Sequence, residues 1–293
     1  MCERWPTDGA MMASQTSHAR LAMSRSWSSL LFFTLFWSAT AATTPAPHTV
    51  RILTYNIHHG EGMDGEFDLP RLARVIESTQ PDLVALQEVD QGTQRASGVN
   101  QLTELARLTR LHGVFGKAMD FQGGGYGIGV LSRWPVRHVE VHPLPDPQDR
   151  EPRTSLTVAV RINKNGPLLQ FTSTHLDSGR DVFNRMAQAS ELNRVLVRDD
   201  GLPAILAGDL NSGLRTEVMQ IFDNDWSNVA PEDPPPPVPT GRPGRVDHVL
   251  VRPFNHWKVL ESTVVDAPIA SDHRPVLVVL QWNGENTRLT TRH

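Results

Sequence analysis

Four short apolar runs, each ending in a side chain that handles metals or protons, constrain this chain more than any other feature. Residues 50–55 are β-rich and close on Asn56. Leu83-Val84-Ala85-Leu86 continues through Gln87 to Glu88, and residues 168–174 close on His175. Pro203-Ala204-Ile205-Leu206-Ala207-Gly208 closes on Asp209, with Asn211 two further on. Each run has the length and content of a buried strand, is bounded by polar or turn residues, and carries its reactive group at its carboxyl end. Helical spacing separates the runs. Leu69, Leu72, Ala73 and Ile76 follow i, i+3, i+4, i+7, with Asp68 as N-cap and Pro70 just inside the start. Leu102, Leu105, Ala106 and Thr109 repeat the spacing, and Val182, Met186, Ala189, Leu192, Val195 and Leu196 predict the longest amphipathic helix. Residues 126–132, 136–141 and 155–162 read as strands. Apolar strands alternating with amphipathic helices, around a central block of hairpin-like strands, predict one α/β domain of mixed sheets covered by helices.

Two later stretches place reactive residues before a strand rather than after it. These are Val246-Asp247-His248-Val249-Leu250-Val251 and Ser271-Asp272-His273-Arg274-Pro275, the second followed by Val276-Leu277-Val278-Val279-Leu280. In a mixed sheet the amino end of an antiparallel strand lies beside the carboxyl ends of its neighbours. Both stretches therefore reach the edge where Asn56, Glu88, His175 and Asp209 emerge. Gln122-Gly123-Gly124-Gly125 reads as a hairpin turn, because no helix start follows it as a phosphate cradle requires. Residues 231–239, with six prolines in nine positions, read as a stiff surface loop at the rim of the site.

The first 42 residues do not share this pattern. Arg20 and Arg25 precede the apolar run 27–37, and the small residues Ser38-Ala39-Thr40-Ala41-Ala42 follow. A basic segment, a short apolar run and a small-residue exit predict a secretory signal peptide, with Met23 as an alternative start. The run is short against the roughly 20 apolar residues of a membrane span, so an uncleaved anchor is the second reading. The expected product is exported, to the periplasm or medium, and comprises a domain over 48–283 with a polar tail over 284–293. Cys2 is the only cysteine and falls in the leader. The mature chain thus has no disulfide, thiol nucleophile or thiolate metal site. Without Glu3, Arg4, Asp8, Arg20 and Arg25, the 28 basic and 32 acidic residues become 25 and 30, a net charge near −5. Such a balance makes no electrostatic case for tight non-specific nucleic-acid binding, though local basic residues remain compatible with a nuclease.

The segments TYNIHHG, LQEVD, YGIGVLSR, REPR, THLD, GDLNS, RVDHVL and SDHRPV occur in that order between about residues 50 and 282. Together they resemble the endonuclease/exonuclease/phosphatase superfamily, the DNase I-like metal-dependent phosphoesterases. The resemblance implies a four-layer α/β sandwich, two packed mixed sheets flanked by helices, and hydrolysis of a phosphoester. Glu88 suits a hard divalent cation, for which Mg²⁺ is the first expectation and Mn²⁺ or Ca²⁺ the alternatives. Asn56 and Asp272 are expected to complete that shell. Asp209 would orient or deprotonate the attacking water. Asn211, on the same side of an extended backbone, would hold the phosphate. His175 and His273 titrate in the range useful for acid and base work. The resemblance implies that Asp247 pairs with His273, and that Arg153 clamps the phosphate with its planar fork. Tyr126 and His58 are candidate substrate contacts, and His248 is read as structural.

The reaction class is better specified than the substrate. Water attack on a phosphodiester without a covalent intermediate is the leading expectation. A phosphomonoesterase or phospholipid-headgroup hydrolase of the same superfamily is the alternative, and a non-catalytic exported binding domain is third. His175 resembles the nuclease and sphingomyelinase branches more than the abasic-site endonucleases. The expected partner is a phosphoester, whether nucleic acid, phospholipid headgroup or small diester. No obligate protein partner is expected, and the chain reads as a monomer.

Overall fold

A computed structural model describes residues 48–197, 201–231 and 245–284. The leader, most of the proline-rich segment and the tail beyond Gly284 lie outside the described residues. Twelve strands are described: β1 (His48–Asn56), β2 (Leu83–Gln91), β3 (His112–Phe121), β4 (Gly124–Ser132), β5 (Val136–Pro143), β6 (Thr154–Arg161), β7 (Leu168–His175), β8 (Ala204–Asp209), β9 (Ser227–Asn228), β10 (Asp247–Arg252), β11 (Trp257–Val264) and β12 (Val276–Trp282). Four α-helices accompany them: α1 (Leu69–Ser78), α2 (Gln101–Thr109), α3 (Phe183–Leu196) and α4 (Glu217–Gln220). The strands form two sheets of six, in the orders β11-β12-β1-β2-β4-β3 and β5-β6-β7-β8-β10-β9. Each sheet has one parallel pair at its centre, β1 with β2 and β7 with β8, and antiparallel neighbours on both sides.

Alternation along the strands builds the layers. Ile52, Ala85, Ile128, Phe171, Ile205, Val249 and Val278 face the other sheet and form the central core. Leu53, Val84, Leu86 and Leu277 face outward and pack on Leu72 and Ile76 of α1 and on Leu102 and Leu105 of α2. Leu206 and Leu250 face the opposite way, onto Leu192 of α3 and Val218 of α4. The result is the expected four-layer sandwich. Asp68 caps α1 by accepting from the Arg71 N–H, as read from the sequence. The turn between β3 and β4 carries Gln122 (φ 45°) and Gly123 (φ 81°), the left-handed pair a tight hairpin requires.

The longest helix departs from expectation. The buried face of α3 includes Asn184, Arg185 and Gln188 beside Ala189, Leu192 and Leu196, while Val182 sits exposed at its start. These polar side chains brace the loops above the sheet. Asn184 donates to Asp146, Arg185 to the Asp177 and Gly179 carbonyls, and Gln188 bonds Pro145 O and the Asp177 N–H. Loop support, which apolar spacing does not register, sets this face. β3 was also absent from the sequence reading, because Gly113, Gly116 and half-exposed positions break its alternation.

Candidate active site

The parity that sends Ile52, Phe171, Ile205 and Val249 into the central core also sends Asn56, His175 and Asp209, four residues later, and Asp247, two residues earlier, to the same side. Where the apolar residues stop, these groups face each other across the sheets. The parallel pairs present carboxyl ends there, and β10 begins there with Asp247 beside Asp209. His175 and Asp209 are register partners on β7 and β8. Gly208 permits that approach, since a Cβ on it would run into the Thr174 carbonyl.

Glu88 reaches the site by a different device. β2 shifts register against β4 between Leu86 and Val89, so two residues oppose one, and Glu88 takes a left-handed backbone at φ 58°. Regular alternation would put Glu88 on the helix side with Leu86. The bulge gives that side to Val89, which packs with the outward-facing apolar residues, and frees the carboxylate to turn to the sheet end. A non-glycine residue held at such φ stores strain of the kind found at functional sites.

Oδ2 of Asp209 is the point of convergence. Asn56 Nδ2 donates to it at 3.3 Å and also to Glu88 Oε1 at 2.9 Å, which links the two sheets. The Nε2 atoms of His175 and His273 lie 3.5 Å and 3.6 Å away. On its far side His273 places Nδ1 at 2.9 Å from Asp247 Oδ2, the pairing the resemblance implies. Asp247 is in turn positioned by Arg245, whose Nε donates to its carbonyl. Ser271 donates from Oγ to the Asn56 carbonyl at 2.7 Å and accepts from the His273 N–H, locking the 271–273 turn onto the end of β1. That turn precedes β12 by two residues, so Asp272 and His273 are set by this lock rather than by strand alternation.

The electrostatics follow from burial and crowding. Burial pushes the Asp209 carboxyl up, and the Asp247 charge adds to this. His273 and the Asn211 and Asn56 hydrogen bonds pull it back, leaving it at about 6. Burial alone would lower His273, but the Asp247 and Asp209 carboxylates outweigh it and push the imidazole up to about 10. At neutral pH Asp209 is therefore largely ionised beside an imidazolium. Asp209, Asp247 and His273 bring their ligand atoms within 4.8 Å of one another, an arrangement that could hold a cation only if His273 gave up its proton.

The other candidates take partners within the protein. Asn211 is not extended after Asp209 but left-handed at φ 48°. Its N–H closes a turn onto Asp209 Oδ1, and its amide donates to the Leu176 carbonyl. Asn56 offers nitrogen, not oxygen, to the carboxylates, while its Oδ1 accepts from the His58 N–H. His58 turns its Nδ1 to the Glu61 carbonyl of its own loop. Arg153 donates from NH1 to His175 Nδ1 at 2.7 Å and pairs with Glu151 at 3.1 Å. With Nδ1 accepting, the His175 proton sits on Nε2, facing Asp209, which suits donation better than base catalysis. Asp272 accepts from Ser271 Oγ at 3.4 Å, and its charge is felt at Tyr55 and His273. His248 is structural as expected, buried with Nδ1 on Asn228 and Nε2 on the Ser212 carbonyl.

A cavity of about 210 Å³ opens beside these groups, lined in part by Glu88, Arg153, His175, Asn211 and Tyr126. Among the described residues Asn56 is the only side-chain donor to the Glu88 carboxylate, which otherwise faces this cavity. An oxygen donor with spare lone pairs at a solvent-reached wall fits a hard divalent cation. The same cavity holds residues that sequence reasoning missed, Arg95 and Phe121. Arg95 comes from a loop with no strand-end signature, so no pattern pointed to it.

Comparison with known proteins places these observations. The protein YbhP of Escherichia coli (strain K12) is 28% identical over 170 residues, and the match covers 55% of this chain and 66% of YbhP. An endonuclease/exonuclease/phosphatase structure from Beutenbergia cavernae superposes with a TM-score of 0.68 at 26% identity, covering 81% of this chain and 72% of that one. The mannosyl-6-phosphatase Bt3783 of Bacteroides thetaiotaomicron has the same fold, with TM-score 0.61 and 18% identity over 79% of this chain and 99% of its own. Residues 53–273 match the Endonuclease/Exonuclease/phosphatase family, the stretch that contains every convergent side chain described above, and the chain belongs to that family.

Proposed function

We propose that the protein hydrolyses a phosphodiester by direct attack of water, with a divalent cation, Mg²⁺ in the first instance, held by Glu88 and completed by Asp272. Members of the family are phosphoesterase hydrolases, typically dependent on divalent metal. One observation carries the reading. Asp209 Oδ2 lies 3.6 Å from His273 Nε2, and the Nδ1 of the same ring is anchored 2.9 Å from Asp247.

Groups that close serve one side of phosphorus, because the attacking and leaving oxygens of an in-line displacement lie on opposite sides. Asp209 therefore takes the proton of the attacking water, and His273, held charged by Asp247, stabilises the carboxylate and the phosphoryl oxygens facing it. The new bond joins the water oxygen to phosphorus as the bond to the alcohol oxygen breaks. His175 Nε2–H and the Arg153 guanidinium supply donors to the non-bridging oxygens. A cation at Glu88, when bound, supplies positive charge for the phosphate and the leaving oxygen. Asn211 and Tyr126 act as walls of the substrate cavity.

The test is hydrolysis of bis(p-nitrophenyl) phosphate, p-nitrophenyl phosphate and plasmid DNA by chelator-treated protein, with Mg²⁺, Mn²⁺ or Ca²⁺ restored singly. We expect diester cleavage that disappears with chelator and returns with metal. Cleavage of none of these with any cation sinks the reading. Monoester hydrolysis is the second reading, favoured by the small volume of the cavity and by the fold shared with the mannosyl-6-phosphatase. It is selected if only the monoester turns over. We also read the chain as an exported monomer; a mature amino terminus after Ala42, found by mass spectrometry of the exported protein, is the expected sign.

A further inference from the structure

In the wall of the cavity, Arg95 is fixed more tightly than a surface arginine needs to be. Its Nε and NH2 form a two-pronged pair with Asp90, at 2.6 Å and 3.0 Å, and Asp90 is fully buried and also held by Thr93 Oγ1. One face of the guanidinium lies over Phe121 and Tyr126, at 4.7 Å and 5.3 Å from the ring centroids. Its NH1 has no protein hydrogen-bond partner among the described residues, on a side chain 29% exposed and lining the cavity. This is an oriented donor without an internal task.

We propose that this wall is the subsite for the alcohol half of the substrate, that it takes an uncharged hydroxylated ring of the sugar or inositol class, and that Arg95 is its specificity-determining residue. The inference rests on the phosphoesterase reading and deepens it.

Three observations select a polyol. First, the wall is charge-matched: Asp90 balances Arg95, and Glu151 balances Arg153. It therefore offers hydrogen bonds without the excess positive charge a second phosphate would seek. Second, the Arg95 guanidinium carbon lies 4.7 Å and 5.3 Å from the Phe121 and Tyr126 ring centroids, so the ring faces turned to it are already taken by the cation. Third, the wall includes both donors and acceptors, with Arg95 NH1 donating, the Glu151 carboxylate accepting and the Ser178 hydroxyl able to do both. A hydroxyl group is both donor and acceptor, so neighbouring hydroxyls on a ring satisfy such a wall. The cavity, about 210 Å³ or the volume of roughly seven waters, must also take the phosphate, so it suits one small ring rather than an extended alcohol.

The experiment compares kcat/KM for myo-inositol phosphate and its methyl diester with kcat/KM for the matching nitrophenyl esters, in wild-type, Arg95→Gln and Arg95→Lys protein with Mg²⁺. The ratio of polyol to nitrophenyl ester is expected to fall about tenfold or more in both variants, through KM on the polyol side. Lysine keeps a cation on Asp90 but has no second nitrogen to reach the ring, so it controls for loss of the buried pair. An unchanged ratio in Arg95→Gln overturns the subsite, as does full restoration by Arg95→Lys. Wild-type preference for a nucleoside monophosphate or a polyol bisphosphate also overturns it. Calorimetric titration of myo-inositol phosphate into His273→Ala protein, with and without Arg95→Gln, separates this proposal from the one it rests on. Binding that weakens about tenfold supports the subsite even in a protein that cleaves nothing, and binding indifferent to Arg95 rejects it even in an active enzyme.

Discussion

His273 carries its charge because two carboxylates face it, Asp247 on Nδ1 and Asp209 toward Nε2, against a burial that would otherwise strip the proton away. Replacing Asp247 by Asn leaves a side chain of the same shape that cannot supply that charge. We expect kcat on a nitrophenyl phosphodiester to fall about 10²-fold or more, with KM little altered and the near-ultraviolet circular dichroism retained. A fall confined to KM would mean that Asp247 serves binding instead. His248, its neighbour in sequence, behaves oppositely. Burial, with Arg245 adding, lowers it from 6.5 to about 4, and both ring nitrogens are engaged while it is neutral. The unfolded chain then binds this proton more tightly than the folded one. The contribution of neutral His248 is complete above about pH 6.5 and lost as pH falls toward 4, on the order of 3 kcal/mol across the window. Urea midpoints at pH 7.5 and 5 should show this slope in wild-type protein and a shallower one in His248→Gln; equal slopes would refute the assignment.

At the scale of the element, the β2 bulge decides where Glu88 points. Its left-handed backbone is easier for glycine than for any residue with a Cβ, by about 1 kcal/mol or more. Glu88→Gly should therefore be more stable than Glu88→Ala by about that amount in urea unfolding, while both lose Mn²⁺ affinity in calorimetric titration. A more stable alanine variant would argue that the bulge is not strained. The bulge also explains what the sequence left hidden. Asn56, Glu88, His175 and Asp209 were legible because each closes an apolar run, and Asp247 because it opens one. The bulge that turns Glu88 to the sheet end was not, since nothing in the run marks the break in its period. Asn211 was placed by a strand geometry that ends at Asp209, and α3 by an apolar spacing its polar, loop-bracing residues override.

For the whole molecule, the two sheets repeat one plan, a central parallel pair flanked by antiparallel neighbours, and the site lies where the two plans meet. Asn56 is the seam, one amide shared by Glu88 of the first sheet and Asp209 of the second. Alternation and helix spacing made mixed sheets covered by helices legible, and the ordered motifs, through the resemblance they carry, the four-layer arrangement. The Arg95 flank was not legible, since a loop, a hairpin strand and β4 come together there only after folding. The cluster joining these sheets is proposed to hydrolyse phosphoesters through His273 and Asp209. The deciding measurement is kcat for a nitrophenyl phosphodiester at saturating Mg²⁺ in His273→Ala against wild-type protein. A loss of about 10²-fold or more is expected; turnover at the wild-type rate would rule these roles out.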